Sequence, residues 1–290
     1  MSTLSQKLQS GKFAITAEVG PPKGVDLKEV LEDAELLRTK VDAINVTDQQ
    51  SSVMRFGSLA MCHLLKERGM EPVFQMTCRD RNRIALQSDL LSAYGLGVEN
   101  VLCLTGDYVS LGDHPEAKPV FDLDSVSLLR SAVLLQQGKD LAGKELKGSP
   151  RFFLGAVVTP GADPLEPQLM KMRWKVQAGA QFFQTQAIYD PAEFERFVRK
   201  VEHLKVPIMA GIVLLKSAGM ARFMNKNVAG VNVPDHLIEE MDRTDNRVQK
   251  SIEIAARLIK DLKGLCQGVH IMAIGWEKRV PAVLEAAGFA

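Results

Sequence analysis

The sequence predicts a (β/α)8 barrel, and three observations predict it. Short apolar, β-branched runs recur along the chain. Helical patterns, with apolar residues at three- and four-residue spacing, lie between them. Eight such runs fit within 290 residues, the length an eight-fold βα alternation requires. Strands that alternate with helices form a parallel sheet, because each crossover must run over one face. The rival is an open, doubly wound sheet, whose dinucleotide fingerprint G-x-G-x-x-G follows the first strand. Here the first strand instead runs into Glu18-Val-Gly-Pro-Pro22.

The elements follow in order. Leu4 and Leu8 suit a short amphipathic lead-in before the first strand. Strands are expected at 13–18, 42–47, 72–77, 100–105, 152–158, 181–186, 207–213 and 269–274. Helices are expected at 27–37, 58–66, 83–94, 123–136, 169–178, 193–204 and 247–262. Gly69, Gly95, Gly138, Gly179 and Gly264 stand where helix C-caps belong. No polar linker or low-complexity tract divides the chain, so residues 1–290 read as one catalytic barrel domain.

Composition excludes several classes. With 46% hydrophobic residues the chain can bury a full core without a disulfide or metal staple. Lys and Arg number 36 against 35 Asp and Glu, so no basic excess marks a nucleic-acid binder. Cys62, Cys78, Cys103 and Cys266 lie far apart without a C-x-x-C pair, and read as reduced, mostly buried thiols of a cytoplasmic protein. The five histidines show neither H-x-x-H nor H-E-x-x-H spacing, so no metal site is expected, and His270 reads as a satisfied barrel residue. No apolar run approaches the roughly 20 residues of a membrane span, and the N-terminus has no signal-peptide core.

In a barrel, chemistry sits just past the C-terminal ends of the strands. Glu18 ends the first strand, and Thr47 with Asp48 the second. Gln75 lies on the third, which runs into 77–83, a charged stretch where Asp80 could N-cap the next helix. Thr105-Gly-Asp107 closes the fourth, and Gln186 the sixth. Glu18, behind an apolar strand, is placed for a raised pKa and hence for proton delivery near neutral pH, or else is a capping or salt-bridged acid. Asp107 after a glycine could accept paired N–H donors of a pterin or purine, or form an Asx turn. Gln186 offers a donor and an acceptor to a heterocycle edge, or is a buried amide satisfied by a neighbouring strand. The segment 108–120 reads as a long mobile loop covering a cofactor or substrate, or as simple surface disorder.

The pieces Ala17-Glu18-Val-Gly-Pro-Pro22, Gln75-Met-Thr-Cys-Arg-Asp80 and Leu102-Cys-Leu-Thr-Gly-Asp107 resemble the methylenetetrahydrofolate reductase family. So do Lys175-Val-Gln-Ala-Gly-Ala180, leading into Thr185-Gln186, and more loosely Ile271-Met-Ala-Ile-Gly-Trp276. The likeness runs in order through the whole chain. It implies a (β/α)8 barrel holding a flavin, FAD or alternatively FMN, and reducing 5,10-methylenetetrahydrofolate to 5-methyltetrahydrofolate. NAD(P)H or an electron-transfer protein would supply the electrons, and a homo-oligomer or a complex with a partner subunit is expected.

Carried over by residue, the resemblance makes Glu18 the acid that assists ring opening. It makes Asp107 the acid that binds the pterin beside the flavin, and Gln186 the amide that contacts folate. Thr47 falls at the flavin edge, where the nicotinamide also arrives. Asp48, Gln75, Thr105, Gly106, Thr159 and Lys175 fall on the cofactor side. Gln75, Thr105, Thr159 and Trp276 stand where relatives commonly place His, Arg, Tyr and Arg. Two alternatives remain: a flavin-free pterin-binding methyltransferase working with a corrinoid partner, and a non-catalytic flavin-binding subunit docked on an electron-transfer partner.

Overall fold

A computed structural model describes residues 1–289. The elements are α1 (Thr3–Gln9), β1 (Ala14–Val19), α2 (Lys28–Leu37), β2 (Ala43–Val46), α3 (Ser58–Glu67), β3 (Pro72–Thr77), α4 (Arg83–Gly95) and β4 (Asn100–Leu104). They continue as α5 (Ser125–Gln136), β5 (Phe153–Val158), α6 (Glu166–Gln177), β6 (Phe182–Ala187), α7 (Pro191–Val201) and β7 (Ile208–Val213). The chain ends with α8 (Ala218–Asn227), α9 (Asp235–Asp242), α10 (Arg247–Leu262), β8 (Gly268–Met272) and α11 (Val280–Ala286). Each strand pairs in parallel with its sequence neighbours, and β8 closes on β1, making a (β/α)8 barrel.

All eight expected strands form, within one or two residues of their expected bounds. Three helices escaped the sequence reading: α8, α9 and α11. α8 and α9 are short and lie in the long β7–β8 crossover, where only α10 has a sustained apolar stripe. The C-cap reading needs two corrections. Gly97, at φ +81°, takes the left-handed position after α4, while Gly95 remains helical. Gly264 does not adopt positive φ, whereas Gly69, Gly138 and Gly179 do. The charged stretch also differs from expectation: Asn82, not Asp80, caps α4, its side chain accepting from the amides of Ile84 and Ala85.

The barrel interior is graded. At its N-terminal end Ala14, Ala43, Val73, Leu102, Phe153, Phe182 and Met209 meet in one apolar cluster. Phe153 and Phe182 stack at 4.9 Å, and a Cβ on Gly155 would fall 2.3 Å from the Phe182 ring, so this site on β5 needs glycine. The lead-in helix α1 plugs this end, burying Leu4 and Leu8 in the same cluster. It is fastened by Ser2 Oγ donating to Asn100 Oδ1 at 2.5 Å and by Lys7 on Asp42 at 2.7 Å. At the next inward-facing position the interior turns polar on five of the eight strands: Thr16, Asn45, Gln75, Gln184 and His270 are all buried. The apolar end thus serves as floor, and the polar end as the lining of a mouth.

Among the described residues no helix is long and apolar enough to cross a membrane, and no group of three or more His, Cys, Asp or Glu is placed to hold a metal ion. The plug carries a prediction. Leu4→Ala leaves a void at the barrel floor and is expected to cost about 2–5 kcal/mol. Urea unfolding checks this as a lower midpoint at unchanged slope.

Candidate active site

The C-terminal ends of the strands enclose a cavity of about 510 Å³. Glu18 and Asp107 both face it, together with Asp48, Gln75, Thr105, Gly106, Thr159, Lys175 and Gln186. Two carboxylates distant in the sequence therefore open onto one space. Thr47 is the exception among the expected residues. It is buried outside the lining, its Oγ1 has no hydrogen-bond partner, and that oxygen lies 3.8 Å from where a Cβ on Gly20 would stand.

Each wall has a local cause. On β1, Thr16 and Glu18 share the inward face, as the two-residue period of a strand dictates. Glu18 is 7% exposed, and its Oε2 lies 3.5 Å from Nε2 of His270 on the adjacent strand β8. On β6 the pairing register with β7 shifts between Gln184 and Ala187. Thr185 Oγ1 fills the irregularity, donating to the Gln186 carbonyl at 2.7 Å and accepting from Gly211 N at 2.9 Å. The bulge re-aims the chain, and Gln186 stands exposed at the rim rather than satisfied inside the sheet.

The β4 end is shaped by Gly106, at φ +97°, where a Cβ would lie 3.1 Å from Thr77 Cβ and 3.2 Å from Arg79 Cβ. The turn leaves Asp107 exposed at the rim. Thr105 is engaged with the start of α5, its Oγ1 accepting from Ser125 N at 3.2 Å. Asp48, expected on the cofactor side, lines the cavity but is heavily committed. It accepts from Thr77 N at 2.8 Å, Thr77 Oγ1 at 2.9 Å and Ser58 Oγ at 3.2 Å, and it pairs with Arg81. Its carboxylate fastens β2 to β3 and has little capacity left for a ligand.

Arg79 was not singled out in the sequence and proves central. Its side chain is 2% exposed. The guanidinium pairs with Asp80 at 2.7 Å and donates to the carbonyls of Gln49 and Asp107, each at 3.3 Å. The segment 108–120, expected to be a mobile loop, is anchored. Val120 N donates to the Arg79 carbonyl at 2.7 Å, and Asp113 takes an ion pair from Lys23 and a hydrogen bond from Met54 N at 3.2 Å.

The β5 side of the cavity carries a cationic corner. Lys175 is 5% exposed and donates to the Val157 carbonyl at 2.6 Å, with Lys171 beside it in the lining. Burial, reinforced by the charge of Lys171, pushes the Lys175 ammonium down to about 8, against the smaller opposing pull of Asp124 and Cys103. An ammonium with one protein acceptor has donors left for a ligand rich in carbonyl or phosphate oxygens.

The chain is similar to known proteins over most of its length. A family model described as "Methylenetetrahydrofolate reductase" matches residues 3–288. Methylenetetrahydrofolate reductase 2 of Schizosaccharomyces pombe is 25% identical over 249 residues, which cover 80% of this chain and 38% of that protein. The 5,10-methylenetetrahydrofolate reductase of Pectobacterium carotovorum subsp. carotovorum is 24% identical over 260 residues, covering 87% of this chain and 80% of that one. The chain thus spans well under half the length of the fission-yeast relative and about four-fifths of the bacterial one. Among solved structures, an uncharacterized protein from Clostridium thermocellum, described as binding two copies of 5-methyl-5,6,7,8-tetrahydrofolic acid, superposes with a TM-score of 0.63. At 15% identity, over 98% of this chain and 97% of that one, the likeness shows the fold.

The depressed Lys175 has a thermodynamic signature. Unfolded, the ammonium keeps its proton up to the ordinary 10.5; folded, it releases it near 8. Between those values the unfolded state binds more protons, so Lys175 makes stability rise with pH across that window. Thermal unfolding from pH 7.5 to 10.5 should show this rise in the wild type and its loss in Lys175→Met.

Proposed function

This chain belongs to the methylenetetrahydrofolate reductase family, and we propose that its barrel mouth holds a flavin and reduces 5,10-methylenetetrahydrofolate to 5-methyltetrahydrofolate. The observation that carries the reading is the opening of Glu18 and Asp107 onto one cavity. The volume lies within the range of ordinary cofactor and substrate pockets, roughly 300–1,000 Å³. The folate binding described for the Clostridium thermocellum barrel is in keeping with a pterin at such a mouth.

The residues fit a flavin. The incompletely partnered ammonium of Lys175, with Lys171, Gln75 and the backbone turn at Gly106, forms a donor-rich wall. Such a wall suits the carbonyl edge and phosphate oxygens of FAD, with FMN as the smaller alternative. A flavin bound there would supply the hydride for the folate, taking its electrons from NAD(P)H or an electron-transfer protein. Glu18, Asp107 and Gln186 do the remaining work.

Gln186 at the rim offers both a donor and an acceptor to the pterin edge. Glu18, in its protonated form, gives its proton to N10 of the substrate. The bond between N10 and the methylene carbon breaks with its electron pair going to N10, and the methylene carbon stays on N5 as an iminium cation. Asp107, exposed at the rim, would stabilise that cation with its carboxylate.

General-acid assistance is worth about 10²–10⁴-fold. Glu18→Gln should therefore keep its bound cofactor and its reduction by the donor, yet lose folate turnover by that factor in an anaerobic steady-state assay. Normal folate turnover by Glu18→Gln would remove Glu18 from the mechanism.

A further inference from the structure

We propose that Glu18 recovers its proton from a second chamber beside the mouth, by way of Asp33 on α2. The route presupposes the reading of Glu18 as proton donor and adds how that acid is reloaded after each turnover.

Each turnover leaves Glu18 as a carboxylate, with the folate product still in the mouth. A proton arriving from that side would have to pass the ligand. Glu18 also faces a second cavity, of about 420 Å³. This chamber is bounded by the end of β1, by α2 and by the segments after β2 and β8. Glu18 and Gln50 line both it and the mouth. Glu18 therefore stands in the partition between a space that holds substrate and a space that does not.

The charged groups facing the chamber are mostly acids. Asp26, Glu29 and Asp33 come from α2 and its approach, and Glu277 from the segment after β8. Arg55, after β2, is the cation in the lining, and it donates to the Pro21 carbonyl at 3.2 Å. On the mouth side Glu18 meets His270 at 3.5 Å. Among the described residues the chamber lining holds no histidine, so its carboxyls are the groups able to pass a proton at moderate pH.

Asp33 differs from the other acids of the lining. It is 8% exposed, and its Oδ1 accepts no hydrogen bond. Lys278 comes no closer to that oxygen than 3.9 Å. Burial pushes the Asp33 carboxyl up, and Glu277, Glu29 and Glu32 add to the rise against the pull of Lys278. A carboxyl with a free oxygen, held toward neutrality, takes a proton from solvent and releases it again, because no fixed donor locks its charged form. Water in the chamber carries the proton on to Glu18. Asp33 ends the cycle as it began, and one proton enters from solvent for each one given to N10.

Two measurements on the full chain test this. The first is stopped-flow turnover with electron donor and methylenetetrahydrofolate both in excess. In Asp33→Asn the first turnover should match the wild type, because Glu18 starts protonated, and later turnovers should slow by about 10²-fold. Asp33→Glu should recover most of the later rate. Formate, a small acid able to enter the chamber, should speed Asp33→Asn and leave the wild type unchanged. Later turnovers of Asp33→Asn as fast as the wild type, or a loss already complete in the first turnover and unrelieved by formate, overturn the proposal. The second needs no turnover. Carboxyl NMR of ¹³C-aspartate-labelled wild type, with Asp33 assigned by the signal missing from Asp33→Asn, should show Asp33 titrating above the ordinary 3.8. A midpoint at or below that value contradicts the relay. Full folate turnover in Glu18→Gln sinks the reading of Glu18 and the relay with it, whereas a crippled Glu18→Gln beside a normal Asp33→Asn sinks the relay alone.

Discussion

One buried guanidinium holds the mouth together. Arg79 reaches the backbone carbonyls after β2 and β4 while standing at the end of β3, and its own carbonyl accepts the Val120 amide. Three strand ends and the loop after β4 are thereby tied to one charge. A guanidinium suits the task because it presents several donors in a fixed plane and stays charged when buried. The side chain itself is costly to disturb, since it is a buried charge whose partners would have to be replaced. The position of Asp107 depends on it, because the carbonyl that Arg79 holds is that of Asp107 itself. Gly106 makes the close approach feasible: any side chain there would press on Thr77 and Arg79.

The second organising feature is the gradient along the barrel axis. The floor is apolar and plugged by α1, while in the next layer Asn45, Gln184, Thr16 and His270 are hydrogen-bonded to one another. Buried polar groups persist when they are hydrogen-bonded, and a fully connected network also fixes orientation. Glu18 rises from this layer with its neighbours already immobile. Asp107 and Gln186 instead stand at the exposed rim, where a ligand can reach them. A buried acid below and polar groups above suit a ligand that protonates at one end and is recognised at the other.

Much of this was legible in the sequence. The strand runs and their polar ends fixed where Glu18, Gln75, Asp107 and Gln186 would converge, because side-chain alternation and the barrel rule leave little freedom. The less legible parts depend on long-range geometry. The role of Arg79 needs the closeness of Gln49 and Asp107, and nothing in a charged stretch at 77–83 distinguishes a buried tie from a solvated helix start. His270 reads as an ordinary barrel residue until β8 closes beside β1 and sets it against Glu18. Thr47 lies outside the lining, with its hydroxyl beside Gly20 after the neighbouring strand, a placement that appears only once β1 and β2 are paired. The bulge in β6 leaves no local mark, since Thr185 and Gln186 also suit a regular strand. The short helices α8 and α9 lack the repeated apolar stripe that exposes longer ones.

The central claim is that one mouth couples a redox cofactor to a folate. Its most direct measurement is an anaerobic titration of the purified protein, followed by visible absorbance. The account predicts a flavin spectrum that bleaches with a nicotinamide or chemical reductant and returns in proportion to added 5,10-methylenetetrahydrofolate. A reduced protein whose absorbance stays bleached through a full excess of that folate would contradict it.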